Sequence, residues 1–212
     1  MYKKIAIPLD GSPFSERILG YLPGLVTPHQ TELVLLHVIE LSHYVSLMAP
    51  DALHTVDMGH WRQEGEAYLK RVQGELRDQG YQVKARTIEG DVAGAICDAA
   101  DQEDVDLIAM TTHGRSGFQN LLLGSVADRV VRTARQPVFL VRPQRDAKPR
   151  IPLQRLLVPL DGSELAELAL PQAIGLAKAN RGEIWLLQAI EFPEYWGEEY
   201  IGVQNVPGLI ST

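Results

Sequence analysis

The segment KIAIPLDGSPFSERIL, residues 4–19, recurs as RLLVPLDGSELAELAL at residues 155–170. A second pair, ELVLLHVIE at residues 32–40 and EIWLLQAIE at residues 183–191, keeps the same register without a gap. Asp10 therefore aligns with Asp161 and Glu40 with Glu191. Chance does not hold one register across two separate motifs, so the chain reads as a duplicated domain. No other feature limits the fold as much, because both copies must open with the same strand, turn, helix and strand.

Within the first copy, strand-like and helix-like segments alternate. Residues 3–9 are short, apolar and end in Asp-Gly, the pattern of a buried strand. Ser12 stands as a helix N-cap with Pro13 at the first helical position. A strand over 32–38 is followed by a helix from about 57 to 79, closed by Gly80. Residues 82–88 alternate as a strand, and 92–101 are apolar on one face, as in a helix. A buried strand at 105–110, a helix at 125–134 and a last strand at 138–141 complete the copy. This alternation predicts an α/β fold: an open parallel five-stranded sheet with helices on both faces and right-handed crossovers.

The expected domains are 1–142 and, as a partial second copy, 155–212. A linker at 143–154 joins them, within a stretch rich in proline and charge, RPQRDAKPRIP at 142–152. The second copy supplies strand, helix, strand and a tail, and stops before any counterpart of the segment at 111–125. A piece of that size hardly buries enough surface to fold alone. Two expectations follow: a truncated form of a longer protein, or a second half that packs on something else.

Composition narrows the function classes. Of 212 residues, 45% are hydrophobic and 22% charged, enough for a real core. The net charge of −7 argues against nucleic acid as a partner. The single cysteine, Cys97, excludes an internal disulfide and fits a reducing compartment. The opening MYKKIAIPLDGS is cut by Pro8 and Asp10 and makes a poor signal peptide. No uncharged run approaches the roughly 20 apolar residues of a membrane span. A cytoplasmic protein without membrane insertion is expected.

The segment TTHGRSGFQNLLLGS, residues 111–125, carries the chemistry. Ligands of open parallel sheets bind beyond the carboxyl ends of the strands. Gly114 and Gly117 let the backbone turn and approach an anion closely. Gly124 and Ser125 open a helix whose N–H groups and dipole favour negative charge. Arg115 adds a cation and Ser116 a hydroxyl. Asp10 is placed either to accept hydrogen bonds from a ribose or simply to cap a turn, two readings of equal weight at this stage. Val38 is placed to cover a base. His113 reads as solvated rather than catalytic, and His43, His54 and His60 lie at no metal spacing. Cys97 reads as a core residue, and Asp98, Asp101, Glu103, Asp104 and Asp106 as a solvated face. No Gly-Lys-Ser/Thr phosphate loop and no Gly-x-Gly-x-x-Gly occurs, so a P-loop ATPase or a dinucleotide dehydrogenase is not supported.

Together these motifs resemble the universal stress protein family. The resemblance rests on IPLDGS, LLHV, THGRSGFQNLLLGSVADRVV and PVFLVRP, and spans the first copy and the start of the second. The family signature is a glycine, two residues, a second glycine, nine residues, then glycine with serine or threonine. Gly114 and the Gly124–Ser125 pair match, whereas Thr111 stands at the first glycine. The resemblance implies a Rossmann-like, adenine nucleotide alpha hydrolase-like fold. It also implies a site for ATP, or AMP or ADP, with or without Mg2+, and no metal ligands of the protein's own. By resemblance, Asp10 and Val38 hold ribose and adenine with Thr111 beside them, and Gly114, Arg115, Gly124, Ser125 and Val126 hold the phosphates. In similar proteins the last strand, here Val138–Val141, pairs antiparallel with its equivalent in a partner, which implies a homodimer. The implied role is a sensor or regulatory module with at most weak ATPase activity. The alternatives are a slow adenylate-handling hydrolase that uses His113, and a nucleotide-free assembly module.

Overall fold

The computed structural model describes residues 2–40, 58–112, 123–142 and 151–189. Strands β1 (Lys4–Pro8), β2 (Glu32–Ile39), β3 (Gln82–Glu89), β4 (Leu107–Thr111) and β5 (Val138–Val141) form one sheet. Their order is β3-β2-β1-β4-β5, and every pairing is parallel. Helices α2 (Met58–Asp78), α3 (Val92–Gln102) and α4 (Ser125–Thr133) supply the crossovers that parallel pairing demands.

Strand alternation divides the core into two layers. Ile5, Ile7, Leu9, Leu33 and Leu35 face one side and pack on Leu69, Val72 and Leu76 of α2. Ala6, Val34 and Leu36 face the other and pack on Ala93, Ile96, Cys97 and Ala100 of α3 and on Ala127 and Val130 of α4. The central strands thus need apolar residues at every position, the near-continuous runs seen in the sequence. Each fully buried Ile or Leu contributes about 1.5–3 kcal/mol of transfer free energy. Gly80, at φ +88°, closes α2 as expected, and the Tyr81 N–H returns to the Leu76 carbonyl at 3.1 Å.

The first connection departs from the sequence reading. Ser12 does cap a turn, its Oγ accepting the Ser15 N–H at 3.2 Å. The chain then winds as a 3-10 helix, Ser15–Tyr21, and a four-residue α1 (Leu22–Leu25), not as one α-helix. Gly20, Pro23 and Gly24 explain the change: each weakens an α-helix interior, and Pro23 has no N–H to give.

A second unit follows: β6 (Arg155–Pro159), α5 (Glu164–Glu167), α6 (Ala169–Asn180) and β7 (Glu183–Leu187). β6 pairs with β7 in the register Arg155↔Glu183, matching Lys4↔Glu32 between β1 and β2. Asn180, buried, joins this unit to the first. Its Nδ2 donates to the carbonyls of Gly24 (2.8 Å) and Leu176 (2.9 Å), and its Oδ1 accepts the Leu153 N–H at 3.1 Å. Ile151 and Leu153, at the end of the expected linker, press on Gly24, where a Cβ would lie 3.2–3.3 Å from their side chains. Tyr2 donates to Gln172 Oε1 at 3.0 Å beside a cleft of about 280 Å³ between the units.

The two units differ in what covers their sheets. Ala6, Val34, Leu35 and Leu36 are 0–1% exposed, whereas Leu157, Trp185, Leu186 and Leu187 at the matching positions are 50–63% exposed. Asn180→Ala would strand the Leu153 N–H and the Gly24 carbonyl at a cost of about 1–3 kcal/mol. Its melting temperature should fall, and trypsin should cut faster within residues 155–187 than in the unaltered protein. Equal cleavage rates would show that Asn180 does not hold the second unit.

Candidate functional site

The sheet reverses its winding at β1: β2 and β3 extend to one side, β4 and β5 to the other. Such a switch opens a crevice beyond the carboxyl ends of the two strands that flank it, here β1 and β4. The pairing Ile5↔Leu107 and Ala6↔Ile108 sets their relative height. Asp106 helps to set it, because its Oδ2 accepts the backbone N–H groups of Lys3 (2.7 Å) and Lys4 (2.9 Å). The residues just past β1 and just past β4 are thereby neighbours.

On the β1 side the chain turns sharply. Gly11 adopts φ +84°, a conformation that favours glycine. Asp10 Oδ1 accepts the Ser12 N–H at 2.9 Å, and the Asp10 N–H donates to Ser15 Oγ at 3.3 Å. Buried Ser15 in turn donates to the Ser12 carbonyl at 3.0 Å. One carboxylate oxygen thus serves the turn, and a capping role does not conflict with the other sequence reading of Asp10. Val38 packs its half-buried side chain on the α3-side layer. Its main chain matters as well. Leu36 accepts the Leu9 N–H at 2.8 Å, so the polar groups of β2 at even positions face β1. Val38, two residues on, points its N–H and C=O the same way, where β1 has already left the sheet.

On the β4 side, Thr111 is the last residue of the strand, paired with Val141 and buried. The position where the sequence lacks a family glycine is therefore an extended one, where a β-branched residue is well suited. Thr112 donates to the Val141 carbonyl and accepts the Gly124 N–H, both at 2.8 Å. Thr112 and Gly124, at the described ends on either side, thus meet directly. α4 starts there, with Gly124 at φ −72°, ψ 153° and no side chain capping it. The N–H groups of the first turn, from Ser125 and Val126 onward, have no intrahelical acceptor. Asp91 braces the helix from outside. It caps α3 through the Gly94 N–H (3.0 Å) and holds Arg129 of α4 through two bonds of 2.7 and 2.9 Å.

Asp10, Val38, Thr111, Gly124, Ser125 and Val126 thus all stand at or just past the carboxyl ends of β1, β2 and β4. Gly114, Arg115 and His113 lie outside the described residues, as do His43 and His54. Among the described residues no three His, Cys, Asp or Glu side chains group as metal ligands, and no helix is long and apolar enough to cross a membrane. Cys97 is a core residue, as expected, and burial pushes its thiol up. Of the acidic run, Asp98, Asp101, Asp104 and Asp106 are exposed, as expected of a solvated face, and Glu103 departs from it. Asp106 ties strands together, and the Glu103 side chain, 9% exposed, bonds Lys84 at 2.7 Å and Arg86 at 2.9 Å. The Lys84 ammonium, then Arg86, holds its carboxyl below the usual carboxylate range. Sequence reasoning passed over Ser15; His37, inside the apolar run ELVLLHVI, reads from the sequence as a group at the end of the second strand beside Val38, with no role of its own.

The model of the universal stress protein family matches residues 1–142. The chain belongs to that family. A universal stress protein of Methanocaldococcus jannaschii is 32% identical over 142 residues, which cover 67% of this chain and 83% of the relative. A second one from that organism is 30% identical over 155 residues, covering 67% of this chain and 96% of the relative. A solved universal stress protein from Archaeoglobus fulgidus, 26% identical, superposes with a TM-score of 0.69 over 89% of this chain and 67% of its own. That superposition extends past the family match, so it takes in part of the second unit as well.

The brace on α4 has a pH signature. Arg129, then the Gly94 N–H, holds the Asp91 carboxyl below its usual range. A lowered folded value means stability that is present above the ordinary carboxylate value of about 3.9 and lost as pH falls through the folded one. Asp91→Asn keeps a capping side chain but loses the ion pair. Its melting temperature should trail the unaltered protein by a constant margin above about pH 5, and the margin should close below about pH 4. A margin that persists at low pH would contradict this account.

Proposed function

We propose that this universal stress protein binds an adenine nucleotide in the β1/β4 crevice and acts as a nucleotide-responsive regulatory module. The observation that carries the reading is the return of Gly124 to Thr112, which sets the open N-terminus of α4 opposite the Asp10 turn. Phosphate belongs at the helix end, where N–H groups and dipole favour an anion. Ribose belongs at Asp10, whose carboxylate accepts from hydroxyls. The base belongs against Val38, whose main-chain donor and acceptor match the edge of adenine. The spacing of Gly114 from Gly124–Ser125 supports a phosphate cradle between them. ATP fills this arrangement most fully, with Mg2+ as a companion to its phosphates. The proposed role is sensing rather than rapid turnover, with slow hydrolysis as the competing reading.

Calorimetric titration with ATP, with and without magnesium, tests the proposal, and micromolar binding at one site per chain is expected. Gly124→Asp is a pointed variant. Its backbone angles suit any residue, and aspartate is a better N-cap than glycine, so the fold should be retained. The added charge opposes the phosphates, and ATP affinity should drop at least tenfold at an unchanged melting temperature. Unaltered ATP affinity in this variant would remove the phosphate assignment.

The β5 edge supports a homodimer. Ile108 donates to Pro137 and Thr112 to Val141, so odd positions of β5 face β4 and the N–H groups of Val138 and Leu140 face outward. An open apolar edge calls for a partner strand. Leu140→Pro removes one outward donor and no bond to β4. Sedimentation should show a dimer for the unaltered protein and a monomer for the variant; dimers of both would place the interface elsewhere. The second unit is best read as a partial second copy of the domain.

A further inference from the structure

We infer that His37 is a positioning residue for the crevice, a clamp that grips the chain just past β1 and holds the Asp10 turn in place. The inference rests on the nucleotide reading of that site and extends it to a residue outside the contact set. His37 is the polar interruption of an otherwise apolar β2 segment, and it is buried. Its Nδ1 lies 2.8 Å from the Leu9 carbonyl. A carbonyl only accepts, so Nδ1 carries the proton. Leu9 gives its N–H to Leu36, the last regular step of the β1–β2 ladder. In an unbroken parallel ladder the Leu9 carbonyl would next accept from Val38. The imidazole takes that carbonyl instead, just past the end of β1, and ties it to β2 by a side chain.

The neighbouring helix is cut to fit the ring. Gly65 stands inside α2, where glycine costs about 1 kcal/mol relative to alanine. A Cβ there would lie 2.8 Å from His37 Cδ2 and 3.4 Å from Nε2. Tyr68, one turn on, holds the other side, its ring centroid 5.7 Å from that of His37. The second unit serves as an internal contrast. It has the same ladder step, Leu160 N–H to Leu187 at 2.7 Å, and the same turn, Ser163 N–H to Asp161 at 2.9 Å. Gln188 replaces the histidine there, and no side-chain bond to the Leu160 carbonyl is found among the described residues.

Three variants test the clamp: His37→Ala, Gly65→Ala, which displaces the ring, and His37→Asn, whose amide N–H can stand where Nδ1–H does. Affinities for adenosine, AMP and ATP are measured by calorimetry. His37→Ala and Gly65→Ala should weaken all three by one common factor of about ten, the weight of a single hydrogen bond. His37→Asn should recover most of the loss. The gain from adenosine to ATP should stay constant, because α4 is untouched. Unchanged affinities, or a loss confined to ATP, would overturn the clamp. Amide hydrogen exchange without ligand decides it independently. The Asp10 and Ser12 amides should exchange faster in His37→Ala and Gly65→Ala, with the Thr112 amide as an unaffected control. If the unaltered protein binds none of the three ligands, the nucleotide reading fails on its own. Faster exchange at Asp10 and Ser12 then still upholds the clamp, and unchanged exchange overturns it.

Discussion

A parallel strand covered on both faces has room for nothing but apolar side chains, and this constraint shapes the whole molecule. β1 sits at the centre, flanked by β2 and β4, with Ile5, Ala6 and Ile7 sealed between two helical layers. Chemistry can appear only where such a strand stops. Asp10, Val38 and Thr112 each stand at or near a strand end, and the order of the strands brings those ends together. The height of β4 beside β1 is held by one carboxylate, Asp106, on two backbone N–H groups. Backbone geometry thus builds the crevice first, and the side chains that line it are set upon it afterwards.

What the sequence made legible follows from the same constraint. Sealed strands must be apolar runs and their ends must be polar, so the strand positions, the Gly80 stop and the Asp10 turn could all be read in advance. The order of strands could not, since both directions of winding use the same apolar patterns. The first connection was misread as a regular helix because Ser12 and Pro13 are valid start signals, and the interruption by Gly20, Pro23 and Gly24 was given too little weight. Glu103 was misplaced because charge in a run looks solvated until its partners, distant in sequence, are known. Asn180 gave no signal at all: a lone asparagine near a helix end is ordinary until it meets Gly24, far back in the chain.

Within the second unit, identical local rules meet different surroundings. The ladder, the aspartate turn and the serine cap are all repeated, so each can form in either setting. Burial is not repeated, because it depends on the layers that α2, α3 and β4 supply to the first unit. Local hydrogen bonding and global burial are thus separable here within one chain. Asn180 and the Tyr2–Gln172 contact attach the second unit to the floor of the first, at the end of the sheet opposite the crevice.

The direct hydrogen bond between Thr112 and Gly124 fixes more than the start of one helix. Because Thr112 and Gly124 meet directly, the positions of β4 and α4 are set without reference to what lies between them. Each of the two elements thus keeps its place through its own neighbours, β4 through Asp106 and β5, and α4 through Thr112 and Asp91. Loop-closure entropy grows only slowly with length, so a connection between two ends already held together tolerates changes of length at little cost.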